Sequence, residues 1–170
     1  MKPKEFQYQI QFDTMDEKGP VSLGPTASHL WRSDPRHLGF LIIRYKFCAK
    51  MLSGKSKVLD VGCGDGFGVK AILQEVDFVH GIDFDPLFIE KAQAYADHEN
   101  MNCKFSVLDI TQKAPDGCFD GVYSMDVIEH IRPELEHKYM QNICKALKPD
   151  AVCIIGTPNV AAKEHASKWS

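Results

Sequence analysis

The sequence lacks three features that would each indicate a class of function. Its 20 lysines and arginines stand against 23 aspartates and glutamates, so the net charge of −3 gives no basic excess of the kind that a general nucleic-acid binder needs. No apolar run approaches the roughly 20 residues of a membrane-spanning helix, and the first residues contain no apolar signal-peptide core. We therefore expect a cytoplasmic protein with neither a membrane nor a nucleic acid as its partner.

Cysteine pairs with metal-binding or redox spacing are also missing, because none of the six cysteines forms a Cys-x-x-Cys motif. Most of them lie in apolar runs, which is typical of reduced, buried thiols and not of a disulfide framework or a zinc site. With 170 residues, of which 44% are hydrophobic and 25% charged, the composition is that of one globular domain that needs no covalent cross-links.

Hydrophobic patterning from residue 55 onward indicates the fold class. Short apolar runs alternate with longer amphipathic ones, which predicts an α/β domain with a doubly wound parallel sheet. The predicted strands are Val58–Val61 and residues 78–82, 103–108, 119–124 and 151–155, and the predicted helices are residues 67–76, 86–98 and 133–147. Asp85 and Pro86 supply an N-cap and a first-turn proline for the second helix. Lys148-Pro149-Asp150 is expected to end the third.

The segment before residue 54 differs in character. Glycines and prolines divide it into short stretches, and a helical repeat of apolar residues then runs from residue 38 to residue 52. We expect residues 1–53 to form a leader with a helix that covers a ligand cleft, and residues 54–170 to form the core domain. His29, Trp31 and Tyr45 of this leader are candidates for contact with a substrate.

A glycine-rich turn follows the first predicted strand, in the segment Asp60-Val61-Gly62-Cys63-Gly64-Asp65-Gly66. Alternate glycines permit positive φ angles and let a ligand lie against the main chain at the start of a helix. A dinucleotide-binding loop would need a glycine three residues after Gly64, where this chain has Phe67. Asp60 would also repel a pyrophosphate. The loop therefore favours another adenosine ligand, with an NAD-dependent oxidoreductase as the less favoured alternative.

The alternate glycines and the preceding Asp60 resemble motif one of the class I S-adenosyl-L-methionine (SAM)-dependent methyltransferases, and the resemblance extends over residues 55–159. It implies a Rossmann-like sheet with strand order 3-2-1-4-5 and SAM bound above the carboxyl ends of the strands. In this family the fold continues past the fifth strand with a helix and an antiparallel strand pair, for which the residues after 159 are too few. We therefore expect either a fragment of a longer enzyme or a naturally shortened form.

The resemblance also implies roles for residues at the ends of the predicted strands. Asp83 is expected to accept hydrogen bonds from both ribose hydroxyls, while Phe84 flanks the adenine ring. An acid at position 109 would face the adenine amine, and main chain near position 124 would border the amino-acid end of the cofactor. The candidate cofactor-binding residues are Asp60, Gly62, Cys63, Gly64, Gly66, Asp83, Phe84, Asp109, Ile110, Ser124 and Met125.

Glu129 and His130 are the candidate catalytic residues, because the segment after the fourth predicted strand resembles the family motif that faces the acceptor. If the acceptor is a hydroxyl, a base must take its proton, and imidazole is suited to that task near neutral pH. Glu129 or Asp126 could orient the ring. A second interpretation stays open, in which Asp126, Glu129 and His130 gather around a divalent cation with His165 as a further ligand. We expect no resident metal.

These residues together predict a SAM-dependent methyltransferase that acts on an oxygen or nitrogen of a small metabolite or glycan precursor. Transfer from a sulfonium is an in-line displacement, so positioning and exclusion of water can supply much of the catalysis. The alternative of a different class is a truncated SAM-binding module without turnover that regulates a partner.

Overall fold

The computed structural model describes residues 3–159 and contains one five-stranded sheet in that part of the chain. Its strands are β1 (Val58–Val61), β2 (Val79–Asp83), β3 (Cys103–Val107), β4 (Phe119–Met125) and β5 (Leu147–Gly156). They lie in the order β3-β2-β1-β4-β5, and all four neighbouring pairs are parallel. The predicted fold class and strand order are thus confirmed.

Six α-helices are described, and prolines in the first turn begin four of them. The helices are α1 (Gln9–Lys18), α2 (Pro25–Ser33), α3 (Pro35–Met51), α4 (Val69–Ile72), α5 (Pro86–His98) and α6 (Pro133–Ala146). Proline fits the first turn because an amide there has no partner within the helix. Asp85 caps α5 as predicted, accepting a hydrogen bond from the Leu87 amide at 2.9 Å. Short 3-10 helices lie at Phe6–Tyr8 and Ile128–His130.

The sheet carries a separate hydrophobic core on each face. One core joins α3, α4 and α5 to strand residues such as Val58 and Tyr123. The other joins α6 to Leu59 and Val122. All four residues of β1 are buried, as expected for a central strand that is covered on both faces. The carboxyl ends of β1, β2 and β4 therefore form a rigid edge on which side chains and loops are positioned.

Two elements depart from their predicted bounds. The helix predicted at residues 67–76 is reduced to the four residues of α4, and the ring of Tyr45 occupies the space beside the preceding Gly68, where a Cβ would be 2.2 Å from a ring carbon. Strand β5 begins at Leu147 and not at residue 151, because the chain enters the sheet directly after α6. A register shift against β4 and a left-handed Asp150 (φ 62°) accommodate the extra residues.

The expectation that most cysteines are buried is wrong for half of them. Cys48 and Cys63 are buried and Cys103 is half-buried, whereas the thiols at positions 118, 144 and 153 are exposed. An apolar run shows that an element packs against a core, but it does not show which of its faces does so. Burial raises the pKa of Cys48 to about 11, so this thiol stays protonated at neutral pH.

Helices long and apolar enough to cross a bilayer are not found among residues 3–159.

Candidate functional site

The glycine loop after β1 is held in a conformation that requires glycine at alternate positions. Gly62, Gly64 and Gly66 have φ angles of 76°, 53° and 73°, in the left-handed region that side chains rarely adopt. The amides of Gly62 and Cys63 both donate to the carbonyl oxygen of Ile82, at 2.8 and 3.0 Å, and so fix the loop to the end of β2. The loop is thus a built feature of the sheet edge and not a flexible turn.

The three glycines differ in what surrounds them. A Cβ on Gly62 would be 2.3 Å from the Val127 side chain, and one on Gly66 would be 2.9 Å from the ring of Phe105. No atom lies within 4 Å of a Cβ built on Gly64. Gly62 and Gly66 are therefore required by packing, while Gly64 presents bare main chain to open space against which a ligand can lie.

Asp83, at the end of β2, lies beside Gly64. Its Oδ2 accepts a hydrogen bond from the Gly64 amide at 3.0 Å, and its Oδ1 accepts one from the Asp85 amide at 3.0 Å. Each carboxylate oxygen has a second lone pair, so both can still accept from a pair of hydroxyl groups. The ring of Phe84 is 73% exposed and is free to stack on a planar ligand.

Asp60 lies inside the core beneath the loop, with only 4% of its surface exposed. Its Oδ2 accepts a hydrogen bond of 2.8 Å from the hydroxyl of Tyr123, whose ring meets that of Tyr45 edge to face. Burial raises the pKa of Asp60 to about 7, and the charge of Asp83 adds to this rise against the opposing effect of the Tyr123 hydrogen bond. Asp60 therefore supports the loop from within and has little surface for a ligand.

The segment after β3 places one candidate at the surface and the other in the core. Asp109 is exposed, and its Oδ1 accepts hydrogen bonds from the amide and the hydroxyl of Thr111, at 2.8 and 2.7 Å. Ile110 is 6% exposed and packs on the α6 side of the sheet, where its carbonyl oxygen accepts a hydrogen bond from Asn142. Asp109 thus remains accessible at the sheet edge, whereas little of the Ile110 side chain is free to contact a ring.

The end of β4 places Ser124 against the end of β1 and Met125 against α3. The Ser124 hydroxyl donates to the carbonyl oxygen of Val61 at 2.8 Å, and Met125 is half-buried against Cys48 of α3. The next residue, Asp126, has a left-handed φ of 58°. The main chain turns sharply at this point, and the following Val127 packs against Gly62 of the loop.

Arg44 of α3 contacts the candidate site, although the sequence analysis did not assign it there. It donates to both carboxylate oxygens of Asp126, and the only sequence signal for it is a charge within the apolar repeat of the helix. The ion pair fixes Asp126 toward the leader and not toward His130. Among residues 3–159 no three histidines, cysteines or acids are arranged to hold a metal ion, and His165 lies outside the described residues. The cation site of the second interpretation is therefore not assembled by the described residues.

Glu129 and His130 lie in the 3-10 helix Ile128–His130, and both are exposed. Glu129 Oε2 accepts a hydrogen bond of 3.3 Å from the hydroxyl of Thr157, just beyond β5. The hydrogen bond of Glu129 is thus with Thr157 and not with the neighbouring imidazole of His130. His130 is left at the surface of the same edge, accessible to an incoming molecule.

The leader contacts the glycine loop through Asp65, a second residue that the sequence analysis did not assign. Asp65 is 3% exposed, and its Oδ2 accepts a hydrogen bond of 2.7 Å from the amide of Thr26 in the first turn of α2. Of the leader candidates, Tyr45 packs against the loop at Gly68, whereas His29 and Trp31 are exposed. The leader therefore lies against the loop at two points, one from α2 and one from α3.

The chain is similar to known methyltransferases in sequence. A family model described as "Methyltransferase domain" matches residues 58–150. The ubiquinone biosynthesis O-methyltransferase of Rickettsia bellii is 31% identical over 136 residues, which are 80% of this chain and 55% of that protein. The sterol 24-C-methyltransferase erg6 of Aspergillus fumigatus is 40% identical over 100 residues, 56% of this chain and 26% of that protein. The chain spans about half the length of the ubiquinone-pathway relatives it matches.

A solved structure extends the comparison to three dimensions. The O-methyltransferase from the trans-AT PKS multienzyme of Brevibacillus brevis, in complex with S-adenosyl-L-homocysteine, superposes with a TM-score of 0.61. It is 26% identical in sequence, and the match covers 78% of this chain and 46% of that one.

Proposed function

Because the chain belongs to the class I SAM-dependent methyltransferases, we propose that it binds SAM and transfers the methyl group to an oxygen or nitrogen of a small metabolite or glycan precursor. The observation that carries the proposal is the bare main chain of Gly64 beside the Asp83 carboxylate. An oxygen acceptor has the stronger support, since two of the proteins compared above are named O-methyltransferases.

The residues at the sheet edge fit the adenosine part of this cofactor. Open space at Gly64 leaves room for a ligand against the loop, and Asp83 retains lone pairs for the two ribose hydroxyls. The exposed ring of Phe84 can cover one face of adenine, and Asp109 can accept a hydrogen bond from its amine. The amino-acid end would then lie toward Ser124 and Met125, with the leader covering the cleft.

The cofactor supplies a methyl group activated by a positively charged sulfur. The chain has to hold an acceptor in line with that group, exclude water and remove the acceptor's proton. We assign proton removal to His130, whose exposed imidazole can reach a hydroxyl that approaches this edge. Glu129, held by Thr157, would contact the acceptor and not orient the imidazole.

Calorimetry and a transfer assay test the proposal together. We expect S-adenosyl-L-homocysteine to bind the wild-type chain and NADH not to bind, since an NAD-dependent oxidoreductase is the rival enzyme class. Labelled SAM offered with phenols, amines and glycan precursors should yield a methylated oxygen or nitrogen. A well-folded chain that gives no heat with the homocysteine product would overturn the proposal. Binding without transfer to any acceptor would instead support a SAM-binding module that regulates a partner.

A further inference from the structure

We propose that Asp65 is a positioning residue that couples the occupancy of the glycine loop to the placement of the leader helix α2. The coupling rests on the proposed function, because the ligand that occupies the loop is taken to be SAM or its product. It goes beyond that function in assigning a role to Asp65 and to the leader glycine that it contacts, Gly24.

Asp65 caps α2 from a distant part of the chain. The N-cap residue of the helix, Gly24, has no side chain to satisfy the first amides, and Asp65, 39 residues away from Thr26, takes that place. A carboxylate at a helix N-terminus is also favoured by the helix dipole. Because Asp65 is 3% exposed, water competes little for this hydrogen bond.

The approach between the two segments is close enough to require glycine at position 24. A Cβ on Gly24 would lie 2.4 Å from Oδ2 of Asp65 and 2.5 Å from its carboxyl carbon. The φ of Gly24 is −62°, a value that any residue adopts, so the requirement comes from the contact and not from the backbone. The same carboxylate also accepts a hydrogen bond from the Phe67 amide at 3.3 Å, which holds it within the loop.

A short path connects the predicted sugar site to α2. Asp83 accepts from the amide of Gly64, the next residue is Asp65, and Asp65 accepts from the amide of Thr26. A ligand that fixes Asp83 and Gly64 therefore also fixes the carboxylate on which α2 depends. Since α2 carries His29 and Trp31, the predicted acceptor contacts, loop occupancy would order the acceptor side of the cleft.

Hydrogen exchange of α2 with and without S-adenosyl-L-homocysteine tests the coupling, alongside calorimetry on the same samples. In the wild type we expect the ligand to slow exchange of the α2 amides by about fivefold or more. This factor corresponds to the free energy that an N-cap hydrogen bond contributes to a helix. Gly24→Ala, which pushes the helix away from Asp65, should lose this slowing and, because coupling is reciprocal, should bind the ligand up to about fivefold more weakly. Gly39→Ala is the matched control, because Gly39 lies in leader helix α3 with no atom within 4 Å of a built Cβ.

The outcomes separate coupling from a purely structural contact. The coupling alone would be overturned if the ligand still slows α2 exchange in Gly24→Ala. It would also be overturned if the bound ligand does not change α2 exchange in the wild type. No heat with the wild type would overturn the proposed function and the coupling together. Asp65→Asn gives a second test that keeps an acceptor oxygen, and it should raise the KM for the acceptor more than the KM for SAM. An equal rise in both KM values would contradict a positioning role.

Discussion

Arg44 donates hydrogen bonds from Nη1 and Nη2 to the two carboxylate oxygens of Asp126, at 2.6 and 2.7 Å, although the two residues are 82 positions apart. Their side chains are 29% and 27% exposed, and Asp126 lies in the left-handed turn that follows β4. A bidentate, partly buried pair is stronger than an ordinary surface ion pair, so it fixes the leader helix α3 to the sheet edge.

Replacing Arg44 with methionine should lower the free energy of unfolding by about 1–3 kcal/mol, because Asp126 would keep a partly buried charge without its partner. Urea denaturation measures the loss. Arg36→Met is the matched control in the same helix, since Arg36 is 88% exposed and meets Asp34 at 3.4 Å, and it should cost less than about 0.5 kcal/mol. An equal loss of unfolding free energy in the two variants would show that the Arg44–Asp126 pair stabilises the fold no more than a surface ion pair does.

The buried acid Asp60 should make a contribution to stability that decreases as the pH rises. Burial raises its pKa from 3.8 to about 7, so between these values the folded chain keeps a proton that the unfolded chain has lost. The contribution of Asp60 to the free energy of unfolding therefore falls across this range, by at most about 1.4 kcal/mol per pH unit, and levels off above pH 7. In Asp60→Asn this titration is absent. Urea denaturation from pH 5 to pH 8 should therefore show that the free energy of unfolding of the variant rises relative to that of the wild type.

The control for Asp60 is an acid shifted in the opposite direction. The hydrogen bond from Lys148 holds the pKa of Asp120 below its ordinary value, so the stabilisation it gives is present above pH 3.8 and is lost as the pH falls below that value. Asp120→Asn should therefore differ from the wild type by a constant amount between pH 5 and pH 8. Parallel pH curves for Asp60→Asn and the wild type would contradict the prediction for the buried acid.

Asp83→Asn should weaken the binding of S-adenosyl-L-homocysteine by about 10- to 100-fold, because the amide group replaces an acceptor with a donor facing Gly64 or Asp85. Calorimetry measures the affinity, and circular dichroism checks the fold. Asp85→Asn should leave the affinity unchanged, since asparagine caps a helix as well as aspartate does. An unaltered affinity in folded Asp83→Asn would remove Asp83 from the binding site.

Much of the sheet could be predicted from the sequence because its signals are local. Apolar runs mark the strands, and the order of parallel strands follows the family resemblance. Asp83 and Gly64 could be predicted as neighbours because Asp83 ends β2 and Gly64 follows β1, and these parallel strands end at the same edge. The contact between Gly68 and the ring of Tyr45 could not, because Tyr45 comes from another element, the leader helix α3.

The two links between leader and core lay beyond sequence reasoning for a related reason. The pairs Arg44–Asp126 and Thr26–Asp65 join segments whose relative rotation is set by tertiary packing. No periodicity shows which face of α3 carries an ion-pair partner, and the contact at Thr26 uses a main-chain amide that every residue but proline has. The same limit explains why the sequence leaves both Glu129 and Asp126 as candidates to orient His130.

His130→Ala should reduce kcat for a hydroxyl acceptor by about 100-fold or more, because the proton would lose its base, while binding of S-adenosyl-L-homocysteine stays unchanged. The test is a transfer assay at saturating SAM, repeated across pH. His137→Ala provides the control, since His137 is an exposed histidine of the neighbouring helix α6. Full turnover by the His130 variant would exclude this imidazole from the reaction.

Gly64 and Gly54 allow the cofactor site to be tested against a matched glycine. Both have positive φ angles, 53° and 78°, and a Cβ on either would meet no atom within 4 Å. Alanine at either position should therefore lower the free energy of unfolding by a similar amount, about 1–2 kcal/mol. Only Gly64→Ala should lose binding of S-adenosyl-L-homocysteine in calorimetry, because its methyl group would occupy the space against which the ligand lies. If both variants bind as the wild type does, the ligand does not contact Gly64.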